Sequence, residues 1–149
     1  MYVQTGVGNL GTESFSDCQR VAAEMMGVRW EKVEITWGDT SKNLPWSCVS
    51  GGSQTIHAHT RAAHASATDA IKKLQQIAAR DLGGRPEDYV VADERVSRKG
   101  GGSGMTLARR HPRVARSRAA DGDAHGERLA RHRDWGLRDW DWLRINLRS

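Results

Sequence analysis

Apolar residues recur at helical spacing in two stretches of the chain, and these stretches predict its two main helices. The first covers residues 14–26, where the apolar positions fall on one helix face, and Gly27 follows as a stop signal. The second begins near Ile56 and keeps its apolar face to Ala78, before Pro86 ends the pattern. Its first half is rich in alanine, which permits a close approach to a neighbouring element.

Alternation of apolar and polar residues predicts short strands elsewhere. Residues 2–5 are typical of the end of a strand, and residues 30–37 alternate as a half-buried strand would. Residues 89–96 predict a short hairpin, or a strand with a turn at Asp93. The expected fold class is therefore α/β in the broad sense, or α+β, with short strands and two main helices.

The pattern weakens towards the C-terminus. Residues 100–104 are typical of a flexible linker, and residues 105–108 resemble the first turn of another helix. Residues 138–148 fit a short amphipathic helix through Trp140, Leu143 and Leu147. Ser14, with Asp17 three residues later, resembles the N-cap of the first main helix.

The distribution of charge divides the chain at residue 108. Residues 1–108 carry 12 basic and 12 acidic side chains, whereas residues 109–149 carry 11 arginines, no lysine and 6 acids. The whole net charge of +5 therefore belongs to the second segment. We expect a partial domain over 1–108 and a poorly structured Arg-rich tail over 109–149.

Two interpretations of the tail follow from its composition. An abrupt change to Arg, Ala, Asp, Gly and His is what a shifted reading frame gives in a GC-rich gene, so we expect the tail to be frameshifted or disordered. The alternative is a basic nucleic-acid-binding protein, in which arginines contact phosphates and Trp135, Trp140 and Trp142 stack on bases. The six acids among the arginines make nucleic acid the less favoured partner.

Several classes of site and location are disfavoured by the sequence. Cys18 and Cys48 are too isolated for a disulfide framework or a zinc site and indicate reduced thiols in a cytoplasmic protein. The spacing of His57, His59 and His64 matches no metal-binding motif. No apolar run approaches the roughly 20 residues that a membrane span needs, and no signal peptide is visible.

Candidate chemistry is concentrated in two loops that are rich in Gly, Ser and Thr. One covers residues 8–14 and the other residues 50–55, and each leads directly into a predicted helix. A helix start offers free N–H groups and the positive end of the helix dipole, which suit phosphate or another anion. Ordinary helix capping is the alternative for either loop taken alone. Residues 6–11 also spell the dinucleotide-binding pattern G-x-G-x-x-G, but the expected acid, Glu31, precedes a strand rather than following one.

Three runs in order resemble one known family. Residues 6–14 (GVGNLGTES), 36–40 (TWGDT) and 49–55 (VSGGSQT) are similar in order and spacing to the second molybdopterin-binding domain of the xanthine dehydrogenase and aldehyde oxidase family. The resemblance spans roughly residues 3–108. It implies that the chain is a fragment of a molybdenum hydroxylase large subunit, folded as part of a larger molybdopterin-binding domain. Enzymes of this family oxidise aldehydes or N-heterocycles with oxygen from water.

The resemblance also implies a cofactor and the residues that hold it. The cofactor is molybdopterin, with the cytosine dinucleotide form expected in bacteria. The backbone of Gly52 is expected nearest the metal's oxygen ligands, while Glu13 departs from the glycine that is common in the family. The full set of expected cofactor-binding residues is Gly11, Thr12, Glu13, Ser50, Gly51, Gly52, Ser53, Gln54 and Thr55.

The same resemblance implies that the catalytic residue and the electron-transfer partners belong to other polypeptide segments or subunits. The family's catalytic glutamate lies beyond the region covered, so we expect no catalytic residue here and no turnover by the chain alone. The expected partners are the remainder of the large subunit, an iron–sulfur small subunit and a flavin subunit.

Overall fold

The structure is a computed structural model, and it describes residues 1–47, 51–53, 55–107 and 143–146. Within these residues there are two α-helices and six short strands, in the order β1 (Tyr2–Thr5), α1 (Ser14–Met26), β2 (Glu34–Trp37), α2 (Thr60–Leu82), β3 (Tyr89–Ala92), β4 (Arg95–Arg98), β5 (Gly104–Thr106) and β6 (Leu143–Asn146). Short turns of 3₁₀-helix lie at Trp30–Lys32, Thr40–Lys42 and Pro86–Asp88, and a π-helical turn, Thr55–His59, leads directly into α2.

The first sheet has the strand order β2-β1-β6. β1 and β2 are parallel, with Val3 opposite Ile35, and α1 forms the crossover between them. β6 pairs antiparallel with the other edge of β1, where Ile145 lies opposite Val3. Parallel strands need such a crossover because the end of one strand and the start of the next lie at opposite edges of the sheet. The carboxyl ends of β1 and β2 consequently lie at one edge.

The second sheet is an antiparallel meander, β3-β4-β5. Asp93 and Glu94 join β3 to β4 with φ angles of 49° and 59°, the combination that a two-residue type I′ hairpin turn requires. This turn rests on the end of α1, because the backbone N–H of Glu94 donates to the carbonyl of Gly27 at 3.0 Å. The Glu94 carboxylate also pairs with Lys32 at 2.5 Å and Arg29 at 3.4 Å.

The core lies among the two helices and both sheets, and it includes Val3 of β1. The buried positions of α2 are mostly small: Ala62, Ala63, Ser66, Ala67, Ala70, Leu74 and Ala78. Most are spaced four residues apart, so the buried stripe turns by about 40° at each step. α2 packs against α1, against β6 of the first sheet and, in its second half, against the second sheet. There the buried Tyr89 donates its hydroxyl to the carbonyl of Gly83 at 2.6 Å, and Gln75 donates to the carbonyl of Tyr89 at 2.8 Å.

Both helices therefore end beside the second sheet. α1 ends at Gly27 under the β3–β4 turn, and α2 ends at Leu82, next to the bond between Gly83 and Tyr89. The π-helical turn at the start of α2 contacts α1. The segment before the second loop also lies against Gly6, at the end of β1, so the segments that lead into the two loops are in contact.

The main elements predicted from the sequence are confirmed. The fold is α+β, α1 covers the predicted residues 14–26, and the hairpin turns at Asp93. The predicted strand over 30–37 begins with a 3₁₀ turn, so that only its second half is strand. No helix within the described ranges is long and apolar enough to cross a membrane.

Three local predictions are wrong. Residues 104–106 form β5 rather than leading into a helix, because Met105 pairs with Val96 and is buried. Residues 143–146 form β6 rather than a helix, because they complete the first sheet beside β1. The N-cap of α1 is Glu13, one residue before Ser14, and Ser14 is the first helical residue. The other residues of the Arg-rich tail lie outside the described residues, so its predicted lack of structure and its boundary at residue 108 stay predictions.

A close backbone contact holds the segment before the second loop against the end of β1. A Cβ built on Gly6 would lie 2.1 Å from the carbonyl oxygen of Pro45. The Ser47 hydroxyl donates to the carbonyl of Gly6 at 2.8 Å. Only glycine fits at position 6, since any side chain would displace residues 45–47.

We predict that Gly6→Ala destabilises the fold by about 2–4 kcal/mol, because the added methyl group overlaps backbone that cannot rotate away. Gly8→Ala is the matched control, since a Cβ at Gly8 meets nothing within 4 Å. Urea unfolding of both variants measures the difference. Equal stabilities would contradict the contact between Gly6 and Pro45.

Candidate cofactor-binding site

The candidate site lies at the carboxyl edge of the parallel strands. β1 leads through residues 6 and 7 into the first loop, and β2 ends at Trp37 beside the end of β1. The ring of Phe15, in the first turn of α1, stacks on Trp37 with centroids 4.4 Å apart and planes 9° apart. Ligands of open α/β sheets bind outside the carboxyl ends of the strands. The stacked pair fixes the start of α1 at that edge.

The first loop is held in shape by Asn9. Its side-chain oxygen accepts hydrogen bonds from the backbone N–H groups of Gly11 and Glu13, each at 3.0 Å. Two of the N–H groups expected to hold an anion are therefore already bonded within the chain. The Thr12 hydroxyl lies 3.2 Å from that of Ser14 and is part of an exposed residue. Thr12 thus remains the accessible hydroxyl of this loop.

Glu13 occupies a backbone conformation that favours glycine. Its φ of 52° and ψ of 24° are left-handed, and its side chain makes no capping hydrogen bond. Its carbonyl accepts from the backbone N–H and the hydroxyl of Ser16, at 2.8 and 2.7 Å. The left-handed geometry gives a physical reason for the glycine that the resembled family commonly has here. The exposed carboxylate lies at the loop where an anion is expected.

The second loop is described over residues 51–53, which are exposed. Gly52 and Ser53 have φ angles of 58° and 53°, so the chain makes a left-handed turn before the π-helical turn. The Nδ1 atom of His57 lies 3.2 Å from the carbonyl oxygen of Ser53. Ser50 and Gln54 lie outside the described residues, and Thr55 is described only as the start of the π-helical turn.

Both loops leave open space over their backbones. A Cβ built on Gly8, Gly11, Gly51 or Gly52 would meet no atom within 4 Å. The arrangement has the room and the hydroxyl and N–H donors that a phosphate or a polar ring edge needs. The residues present therefore fit a pterin cofactor with a phosphate group.

The buried titratable groups near the loops are suited to structure rather than to catalysis. Burial lowers the pKa of His59, which is 2% exposed, to about 4, so its imidazole is neutral at pH 7. Burial raises the pKa of the Cys18 thiol to about 12, with a further contribution from Asp17, so this thiol is inert. No group of three or more His, Cys, Asp or Glu residues within the described part of the chain is placed to hold a metal ion.

Comparison with known proteins identifies the family to which the chain belongs. The chain belongs to the family described as the molybdopterin cofactor-binding domain, which it matches over residues 1–138. It is thus related to the molybdopterin-binding subunits of the xanthine dehydrogenase family, which are molybdenum oxidoreductases.

Two curated relatives are aldehyde oxidoreductase molybdenum-binding subunits, both called PaoC. The protein of Escherichia coli strain K12 is 34% identical over 95 residues, which is 64% of this chain and 12% of that protein. The protein of Escherichia coli O157:H7 gives the same identity and coverage. The matched region therefore spans about an eighth of the length of these relatives.

Two residues that shape the loops were not among the predicted site residues. Asn9 could have been found from the sequence, because an Asn two residues before a Gly is typical of an Asx turn. His57 could not, because its bond to Ser53 depends on the π-helical turn, which hydrophobic periodicity does not reveal.

We predict that Glu13→Gly raises the free energy of unfolding by about 1 kcal/mol, because glycine adopts the left-handed conformation without a Cβ clash. Glu13→Gln is the control, since it removes the charge and keeps the strained backbone. Thermal unfolding distinguishes the two. A stabilisation of the same size in both variants would show that charge, not φ, is the cause.

We predict that His59 makes the fold acid-sensitive. Its pKa of about 4 in the folded chain is below the unfolded value near 6.5, so the unfolded state binds the proton more tightly. Stability contributed by the neutral ring is therefore present above pH 6.5 and is lost as the pH falls towards 4.

The expected loss is about 3 kcal/mol between pH 7 and pH 4. Urea unfolding at several pH values should show a shallower pH dependence in His59→Gln than in the native chain. His64→Gln, at an exposed position on α2, should leave the dependence unchanged. Identical profiles for the native chain and His59→Gln would contradict the prediction.

Proposed function

We propose that this chain forms one wall of the molybdopterin site in a molybdenum hydroxylase that oxidises aldehydes or N-heterocycles. The observation that carries the proposal is a pair of open loops whose leading segments contact each other, in a fold that belongs to the molybdopterin cofactor-binding domain family. The name of the relatives, aldehyde oxidoreductase molybdenum-binding subunit, supports an aldehyde as the substrate class.

The proposed cofactor contacts come from both loops. In the first loop, the hydroxyl of Thr12 and the N–H groups not already bonded to Asn9 contact the phosphate end. In the second, Gly51, Gly52 and Ser53 approach the pterin, with the backbone of Gly52 nearest the metal's oxygen ligands. The exposed Gly–Gly–Ser backbone supports this assignment, because no side chain blocks its approach to a flat ring. The cytosine dinucleotide form is proposed for the phosphate end.

Three further residues complete the proposed set, namely Ser50, Gln54 and Thr55. When bound, the cofactor supplies the redox centre at which oxygen from water is transferred to the substrate carbon. This chain's own residues bind and orient it. Glu13 is proposed to turn its carboxylate away from the phosphate, because like charges would otherwise repel.

The chain alone is proposed to be inactive. General-base catalysis needs a carboxylate held at the metal. The described residues place no buried acid at either loop, since Glu13 is exposed. The catalytic glutamate is proposed to lie in the remainder of the large subunit. An iron–sulfur subunit and a flavin subunit in the cytoplasm are proposed to carry the electrons onward.

The division at residue 108 is proposed to separate the cofactor-binding part from the tail. Residues 1–108 contain all the described elements of the site. Only β6 of residues 109–149 is described, so the structure adds no support to nucleic-acid binding by the tail. The frameshift remains a hypothesis, which the DNA sequence around codon 109, translated in all three frames, would test.

Adding bulk at Gly51 tests the proposed site. Gly51→Leu fills the open space without forcing a strained φ, so we expect unchanged stability and at least a tenfold loss of bound pterin. The full chain is expressed in a host that makes the cofactor, and pterin is quantified by fluorescence after oxidation. Thr106→Leu, at an exposed position of β5, is the control for added bulk.

A purified chain that carries pterin in equal amounts with and without Gly51→Leu would contradict the proposed site. A native chain that carries none would contradict the proposed function. No turnover of aldehydes or N-heterocycles is expected from the loaded chain by itself.

A further inference from the structure

Among the described residues, the side chain of His57 ties the second loop to the helix that follows it. Its Nδ1 atom lies 3.2 Å from the carbonyl oxygen of Ser53, four residues earlier. A carbonyl oxygen can only accept a hydrogen bond, so Nδ1 must carry the proton. The bond therefore fixes the orientation of the ring and, in its neutral form, the tautomer.

The turn that this bond restrains is one that needs support. Gly52 and Ser53 adopt consecutive left-handed conformations, with φ angles of 58° and 53°. Serine adopts this conformation at an energetic cost. Residues 51–53 are also exposed, and a Cβ on Gly51 or Gly52 would contact nothing. The described part of the chain therefore provides no packing against the Gly51 and Gly52 backbone.

The π-helical turn is what brings His57 within reach of Ser53. Residues 55–59 form this wider turn immediately before α2, and π-turns inside helices occur frequently at functional sites. Within it, Ala58 and His59 face the core, whereas Ile56 and His57 are exposed. His57 is therefore on the solvent side, where the loop lies.

We propose that His57 is a positioning residue for the second loop, holding the Gly52–Ser53 turn in the shape that presents its backbone to the cofactor. The part of this inference that concerns cofactor binding rests on the proposed function. The restraint on the loop itself is independent of any cofactor. His57 touches no reacting atom in this account, and its effect passes through Ser53.

The first test uses the full chain without cofactor. In His57→Ala, the backbone amides of residues 51–57 should exchange with deuterium about fivefold faster, as expected for the loss of one hydrogen bond. His57→Asn should restore slow exchange, because its side-chain nitrogen takes the place of Nδ1 and donates to the same carbonyl. His64→Ala, an exposed histidine on α2, should leave exchange unchanged.

Nitrogen-15 NMR of the neutral histidines provides a readout that a merely structural role would not move. His57 should be protonated on Nδ1, whereas exposed His64 should show the mixture typical of free histidine. Protonation of neutral His57 on Nε2, or unchanged exchange in His57→Ala, would overturn the proposal.

The last experiment measures how much pterin the same variants retain when they are expressed in a host that makes the cofactor. His57→Ala should retain several-fold less pterin than the native chain, and His57→Asn and His64→Ala should retain native amounts. Full retention in His57→Ala would overturn the positioning role. A native chain without pterin would overturn the proposed function, while the exchange and NMR results would still decide whether His57 restrains the loop.

Discussion

The close packing of α1 on α2 is the interaction on which the arrangement of the site depends. It is possible because the buried positions of α2 are mostly alanine and serine, while those of α1 include Cys18, Ala22 and Met26. Larger side chains would separate the helices, since interiors are filled to near crystal density. The π-helical turn before α2 also contacts α1. The segments that lead into the two loops contact each other directly at Gly6 and residues 45–47.

The second sheet stabilises the C-terminal ends of both helices. The backbone N–H of Glu94 donates to Gly27 and the side-chain hydroxyl of Tyr89 donates to Gly83, so each helix terminus has a hydrogen-bond partner in the sheet. Buried backbone groups at helix ends need such partners. Within the described residues, the side chains of Asn9 and His57 hydrogen-bond to the backbone of the two loops. The C-termini of the helices are thus held by hydrogen bonds to the second sheet. The glycines of the two loops leave open space in which a flat, charged cofactor can approach the backbone.

The sequence allowed the helices and the hairpin to be predicted, because their apolar faces and turn signals are local. The sequence pattern wrongly predicted helix at Met105 and at residues 143–146. Both regions form strands, because they pair with strands that are distant in sequence. At the site, the two loops could be located from their glycines and hydroxyls. The roles of Asn9 and His57 depend on hydrogen bonds within left-handed and π-helical backbone, which composition does not encode. The resemblance to the molybdopterin-binding family, in contrast, was visible in the sequence and is confirmed by the family match.

The central claim is that the two loops together form one wall of a molybdopterin site. A crystal structure of the full chain with the cofactor bound tests it most directly. The account predicts pterin against the backbone of residues 51–53 and phosphate beside Thr12, with the bonds of Asn9 and His57 intact. Cofactor bound against the second sheet, or at one loop with the other untouched, would contradict it.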